Sequence, residues 1–157
     1  MADLNHTNVV QLVGACWEKD LMALVVEFCE KGMPSTVLRE DSVERTWDGL
    51  LLHWCMDTVR AMRHLHGVTY MDVKTDDLVS GVIHRDLKPN NCLVSDAYIL
   101  KVADFGEARA FNKNNTMTQV GTPLFIVPEI VRGDHYSTQA NVLAFPNSGG
   151  LEPQGER

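Results

Sequence analysis

The sequence predicts a protein of the α+β class, and three observations lead to that prediction. Short apolar runs at 9–16 and 21–28 are separated by a polar break, which is typical of an antiparallel hairpin. Apolar residues then recur at spacings of three and four between 51 and 65, as they do in an amphipathic helix. Further short β-prone runs are spread through 82–103 and alternate with polar loops. We therefore expect small sheets and a substantial helix, with functional residues on the connecting loops.

The overall composition is that of a globular protein. The 157 residues fit one domain, and 45% hydrophobic with 22% charged residues is enough apolar material for a core. Lys and Arg total 14 against 21 Asp and Glu, so the net charge is −7. Because that balance repels phosphate backbones and anionic lipid surfaces, we expect neither nucleic acid nor membrane as a partner.

No segment of the sequence predicts membrane insertion or secretion. The longest apolar run, 21–26, is far shorter than the roughly 20 residues of a spanning helix. The first residues contain neither a basic nor an apolar signal region, so a cytoplasmic location is expected. The four cysteines form no C-x-x-C pair, which favours reduced thiols over zinc or disulfides: Cys16, Cys29, Cys55 and Cys92.

The first half of the chain predicts a hairpin, a short helix and a long helix. A turn is expected at 18–20, and Ser35 is positioned to cap a short helix that runs through Arg39. In the long helix we expect the polar residues Asp57, Arg60 and Arg63 to lie away from the buried face, and Gly67 to end it. The expected buried face consists of Leu51, Leu52, Cys55, Val59, Met62 and Leu65.

Two segments do not fit this pattern. Residues 69–80 are polar and acidic without a helical or strand period, so we predict a surface loop. The tail, 146–157, combines Pro, Gly, Ser and charge, and we predict that it is disordered. One hypothesis is that both segments come from a gene-prediction error. The alternative for 69–80 is a tolerated surface insertion.

Three motifs stand in a fixed order along the second half of the chain. The string HRDLKPNN occupies 84–91, DFG occupies 104–106, and VPE occupies 127–129. Together they resemble the H-R-D-L-x-x-x-N, D-F-G and A-P-E signatures of eukaryotic protein kinases, with Val127 in place of alanine. The resemblance covers most of the chain and implies a partial kinase domain over 1–145. It implies a remnant N-lobe hairpin with a hinge and an incomplete, mainly helical C-lobe.

The resemblance assigns catalytic roles by position. Asp86 matches the base that accepts the proton of the substrate hydroxyl, and Lys88 matches the lysine that contacts the transferred phosphate. Asn91 and Asp104 match the ligands of Mg²⁺, and oxygen donors of this kind suit that cation. Thr122 matches the threonine that serine/threonine kinases place between the aspartate and the lysine.

The resemblance also implies an ATP pocket and a packed spine. Residues 27–32, directly after the second strand, match the hinge, and Val26 matches the residue at the back of the pocket. The carbonyl of Glu27 and the amide of Cys29 would face adenine. Leu93 and Ala103 would pack around the base, although both could equally be core residues. Three further residues match members of the family's regulatory spine, in which a structural role is expected for the histidine: Leu12, His84 and Phe105.

The subgroup implied is the tyrosine-kinase-like group of serine/threonine kinases. Lys88-Pro89 and Gly121-Thr122-Pro123 are similar to the serine/threonine class. Thr116 and Thr118 lie in the activation segment, where a phosphate could pair with Arg85 or where both could be inert.

The sequence departs from the family pattern at its start. No G-x-G-x-x-G loop and no V-A-I-K lysine precede His6, so the resemblance implies a fragment with little activity alone. Its expected partners are ATP and a protein substrate. The alternatives are a non-catalytic, pseudokinase-like module that binds a partner kinase, and the product of a gene-prediction error.

Overall fold

The computed structural model describes residues 4–19, 21–44, 46–71, 76 and 78–110. Several predictions fall outside the described residues and are not taken further as structure: Thr116, Thr118, Thr122, the motif at 127–129 and the tail at 146–157. Among the described helices, none combines the length and the apolar character that a bilayer crossing would need.

The chain opens with the predicted hairpin. Strands β1 (Leu12–Glu18) and β2 (Leu21–Val26) pair antiparallel, with Trp17 opposite Met22 near the turn. The register shifts between Leu12 and Gly14, where the pairing is irregular. Apolar side chains on both strands are exposed, and this pair forms a two-stranded sheet among the described residues.

The short helix forms where it was predicted but begins differently. Helix α1 (Pro34–Val37) starts after Met33, whose backbone is extended and whose side chain makes no capping bond. Ser35 was predicted to cap the helix, and this is wrong, because Ser35 lies inside it. Pro34 occupies the first turn instead, where its fixed φ suits the helix and its missing N–H costs nothing.

The long helix is confirmed, including its end. Helix α2 (Leu52–Gly67) has 16 residues and follows a π-helical turn at Trp47–Leu51. Gly49 has non-helical backbone angles, so the segment is kinked at Gly49 before α2 begins. Gly67 is the last helical residue, as the sequence predicted.

The buried face of α2 differs from the predicted one. Met62 and Leu65 are buried as expected, but Val59 is 52% exposed. Trp54 is buried and donates its indole N–H to the carbonyl of Tyr98 at 3.0 Å. Asp57, which was expected to face away from the core, is only 7% exposed. The face of α2 that contains Trp54 and Asp57 therefore lies against the core, where Trp54 contacts a distant segment of the chain.

The core lies between α2 and a second hairpin. Strands β6 (Cys92–Val94) and β7 (Leu100–Val102) pair antiparallel, in agreement with the β-prone runs in the sequence. Val9 extends this ladder through a parallel bridge to Val102. The fully buried apolar side chains include Val9, Val37, Leu65, Val94 and Val102.

Two strands lie at the ends of 69–80, so the prediction of a loop without strands is wrong for the described part of this segment. Strands β3 (Thr69–Met71) and β4 (Leu78–Ser80) pair antiparallel, and Val79 is buried while Leu78 is 69% exposed. The alternation covers only three residues on each strand, too few for the sequence to reveal a period. The amide of Gly81 donates to the carbonyl of Val68 at 2.7 Å. The residue before β3 is therefore bonded to the residue after β4.

Candidate active site

The loop that contains the first motif connects two short strands. Strand β5 (Val82–Ile83) pairs with β8 (Arg109–Ala110), and a 3₁₀ turn at Pro89–Asn91 leads into β6. Pro89 begins that turn, and the amide of Asn91 donates to the carbonyl of Lys88 at 3.0 Å. The loop is thus fixed at both ends by backbone hydrogen bonds.

The carboxylate of Asp86 is held by two side chains from the same loop. Nζ of Lys88 donates to Oδ2 of Asp86 at 2.7 Å. Nδ2 of Asn91 donates to the same oxygen at 2.9 Å and to the backbone carbonyl of Asp86 at 2.9 Å. Because Asn91 is buried, it fixes the direction of the Asp86 side chain from below the surface. Three of the predicted site residues therefore lie in direct contact.

His84 connects this loop to the segment that contains the DFG motif. Its Nε2 donates to the carbonyl of Ala103 at 2.8 Å, and its Nδ1 accepts the amide N–H of Asp86 at 3.4 Å. Burial lowers the pKa of His84, which favours the neutral ring that this pair of bonds requires. The ring also packs against Phe105, with centroids 5.1 Å apart. These contacts are those of a structural residue, as predicted.

Asp104 lies on the adjoining segment. The amide of Ala103 donates to the carbonyl of Asn91 at 2.8 Å, so the residue before Asp104 is bonded to the first loop. Asp104 is exposed and has a φ of 56°, a left-handed conformation that is uncommon outside glycine. Its Oδ1 accepts the amide N–H of Gly106 at 3.3 Å. The same segment is anchored further on, where Nε of Arg85 donates to the carbonyl of Glu107.

The residues predicted to surround adenine lie on β2, β6 and the segments that follow β2 and β7. Val26 ends β2 and is 49% exposed, and Cys29 is buried. Burial and the neighbouring Glu27 raise the pKa of the Cys29 thiol. Leu93 is half-buried in β6, and Ala103 directly follows β7.

Backbone bonds join the segment after β2 to β6. The amide of Lys31 donates to the carbonyl of Val94 at 3.1 Å, and the amide of Val94 donates to the carbonyl of Gly32 at 2.8 Å. This ladder fixes the predicted hinge against the strand that contains Leu93. The structure therefore connects the hinge to the strand that begins directly after the Asp86 loop.

An ion pair beside the hinge was not predicted from the sequence. The carboxylate of Glu27 pairs with Nζ of Lys101 at 3.0 Å and accepts the amide N–H of Gln11 at 2.7 Å. Both ends of the ion pair are largely buried. Glu27 and Lys101 are 74 positions apart, and no local pattern in the sequence indicates such a pairing.

The donor set of the two loops fits a hard cation. Asn91 uses its amide nitrogen on Asp86, so the side-chain atom chemically suited to a cation is its carbonyl oxygen. Asp104 adds an exposed carboxylate. Within the described ranges no three His, Cys, Asp or Glu residues gather in one cluster. Mg²⁺ needs only one or two protein carboxylates when phosphate oxygens and water complete its shell.

The known proteins that this chain resembles are protein kinases. The protein kinase domain family matches residues 1–145. A serine/threonine-protein kinase/receptor of Acanthamoeba polyphaga mimivirus is 33% identical over 145 residues, covering 92% of this chain and 8% of the viral protein. The serine/threonine-protein kinase drkD of Dictyostelium discoideum is 33% identical over 145 residues, covering 92% of this chain and 10% of drkD. Mitogen-activated protein kinase kinase kinase 10 of Mus musculus is 32% identical over 150 residues, covering 90% and 15% respectively. The chain thus spans a small part of the length of each relative.

Proposed function

This chain belongs to the protein kinase family, and from that premise we propose that it carries the catalytic centre of a protein serine/threonine kinase. The observation that supports this most directly is the contact of Asp86 with both Lys88 and Asn91. A base must be oriented before it can accept a proton from an incoming hydroxyl, and these two donors orient it. The names of the relatives support the serine/threonine class.

In this proposal each residue of the two loops has one task. Asp86 accepts the proton of the substrate hydroxyl, and Lys88 contacts the transferred phosphate. Asn91 and Asp104 hold Mg²⁺ through their oxygens. The cation, when bound, neutralises charge on the phosphate oxygens. Thr122 matches the threonine of the serine/threonine class by its place in the sequence.

Protein kinases use ATP and Mg²⁺, and we propose that this chain binds both. Adenine would contact the backbone of Glu27 and Cys29, with Val26, Leu93 and Ala103 as the apolar surroundings. The hydrogen-bond ladder between the hinge and β6 supports this arrangement, because it positions both sides of such a pocket together. The second substrate would be a protein hydroxyl, and the compartment would be cytoplasmic.

The proposal is tested by ligand-induced stabilisation. Mg-ATP should raise the melting temperature of the 157-residue protein, since a ligand that binds the native state stabilises it by mass action. Asp104→Asn should reduce the shift, whereas Asp86→Asn should keep it. Asp41→Asn, which removes one exposed carboxylate elsewhere, is the matched control. No shift with Mg-ATP at any concentration would argue against a nucleotide site.

Phosphoryl transfer is measured separately, with radiolabelled ATP and a generic basic protein. Any transfer by the wild-type chain should disappear in Asp86→Asn, because the proton acceptor is lost. Transfer that survives in Asp86→Asn would refute the role of this residue.

A second candidate is a non-catalytic module that binds a partner kinase. Such a module would show no Mg-ATP shift but would form a saturable complex with a kinase. Transcript sequencing through 69–80 and 146–157 would test the remaining hypothesis of a gene-prediction error.

A further inference from the structure

A cavity of about 520 Å³ opens at the C-terminal end of α2, and the proposed catalytic residues take no part in it. It lies where the residues before β1, the last turns of α2 and the start of β3 meet. Four of its lining residues have basic side chains, and the lining as a whole consists of His6, Arg60, Arg63, His64, Gly67, Val68 and Thr69. In a chain with a net charge of −7, this is an unusual concentration of basic groups.

Two histidines form one wall of the cavity. The rings of His6 and His64 stack with centroids 4.8 Å apart and an interplanar angle of 18°. Nδ1 of His6 accepts the amide N–H of Asn8 at 3.0 Å, which fixes that ring against the backbone. Nε2 of His64 is buried, and within the described part of the chain it has no hydrogen-bond partner.

The two arginines differ in what they already contact. Arg60 is 56% exposed and donates to Asp57 at 3.0 Å. Arg63 is exposed and forms no ion pair with any residue that the structure describes. The positive charge of Arg63 is therefore available at the mouth of the cavity. Burial, followed by the charges of His64 and Lys101, lowers the pKa of His6.

We propose that this cavity binds a phosphate group as a small dianion. Arg63 would contact its oxygens as the main charged partner, since a guanidinium matches phosphate geometry. A cavity of this size also accommodates the organic group to which a phosphate is attached, so free phosphate and a phosphorylated side chain share the same recognition chemistry.

The test is a titration of the full chain with inorganic phosphate at constant ionic strength. Nuclear magnetic resonance would follow the ring protons of the histidines. Saturable shifts confined to His6 and His64 are expected, and shifts that grow linearly or spread over all six histidines would overturn the proposal.

One substitution and a matched control sharpen the test. Arg63→Ala should weaken phosphate binding about tenfold, which corresponds to about 1.4 kcal/mol for a lost charge-assisted contact. Arg39→Ala removes an equal charge from an exposed site elsewhere and should leave the affinity unchanged. Equal effects of the two substitutions would mean general charge screening and would refute the site.

The source of the phosphate is distinguished with O-phosphoserine and serine. Tighter binding of O-phosphoserine than of inorganic phosphate would support the site and assign it to phosphorylated side chains. Equal binding of the two would support the site and assign it to free phosphate. Binding of serine as tight as that of O-phosphoserine would overturn the proposal, because the anion would then contribute nothing.

Discussion

Replacing Asp57 by alanine should destabilise the protein although the site lies on a helix surface that the sequence marks as polar. The carboxylate of Asp57 accepts the backbone N–H of Leu100 at 3.1 Å and pairs with Arg60 at 3.0 Å. It is the side chain through which α2 bonds to β7. Alanine would leave the buried N–H of Leu100 without this acceptor.

The two contacts contribute unequally to the expected loss. An orphaned buried N–H costs about 1–3 kcal/mol. The ion pair is worth about 0–1 kcal/mol, because Arg60 is largely in solvent. Asp57→Ala should therefore lower the free energy of unfolding by about 1–4 kcal/mol. For a chain of this size that corresponds to a fall in melting temperature of roughly 2–16 °C.

Urea denaturation followed by tryptophan fluorescence measures this loss, and amide hydrogen exchange at Leu100 gives a local readout. Arg60→Ala removes only the ion pair and should cost less than about 1 kcal/mol. Asp57→Asn keeps an acceptor oxygen and should fall between the two. Asp41→Ala, at an exposed position, is the control. If Asp57→Ala costs no more than Asp41→Ala, or if exchange at Leu100 is unchanged, the hydrogen bond does not hold α2 to β7.

Three further predictions concern pH, thiols and the buried ion pair. Burial lowers the pKa of His84 below the usual 6.5, so the unfolded chain takes up the extra proton first and the free energy of unfolding should fall as pH drops below about 6.5. Urea denaturation at several pH values measures this, and a pH dependence that is unchanged in His84→Gln would contradict it. Burial raises the pKa of Cys92 to about 12, so iodoacetamide should label Cys92 far more slowly than Cys16 in peptide mass spectrometry, and equal rates would be inconsistent with the packing. Lys101→Met should cost about 1–3 kcal/mol by urea denaturation, because Glu27 keeps a largely buried charge without its partner, and a neutral effect would show that solvent replaces the lysine.

The elements that the sequence predicted are those with a local signal. The β1–β2 hairpin and α2 follow from apolar runs and a period that can be counted along the chain. Gly67 at the end of α2 is a local signal of the same kind. In each case the residues that decide the structure are neighbours in sequence, so tertiary contacts were not needed.

The orientation of α2 could not be predicted in this way. Trp54 bonds to Tyr98 and Asp57 to Leu100, over separations of 44 and 43 positions. Both partners offer backbone groups, which every residue has, so no residue type in the sequence indicates them. Hydrophobic periodicity alone predicted that Val59 lies in the core. With Trp54 and Asp57 bonded to the core, Val59 faces solvent and is 52% exposed. A polar residue on an amphipathic helix can therefore lie in the core when a strand end needs an acceptor.

The candidate site shows the same division. The contacts among Asp86, Lys88 and Asn91 span at most five positions, so one motif is sufficient to predict that they cluster. The pairing of Glu27 with Lys101 and the stacking of His6 on His64 join distant segments, and neither was foreseen. Sequence motifs predict the part of a site that one loop builds.

The candidate site itself divides into a fixed part and a less restrained part. Asp86 accepts from two side chains and lies on a loop that His84 and Asn91 tie to Ala103. Asp104 is exposed, and the contact shown for its carboxylate is the amide of Gly106. A proton acceptor must be oriented before the hydroxyl arrives, whereas a cation ligand can be oriented by the cation as it binds. Asp86 is thus held in a fixed orientation before substrate binds, as the proposed role of a proton acceptor requires.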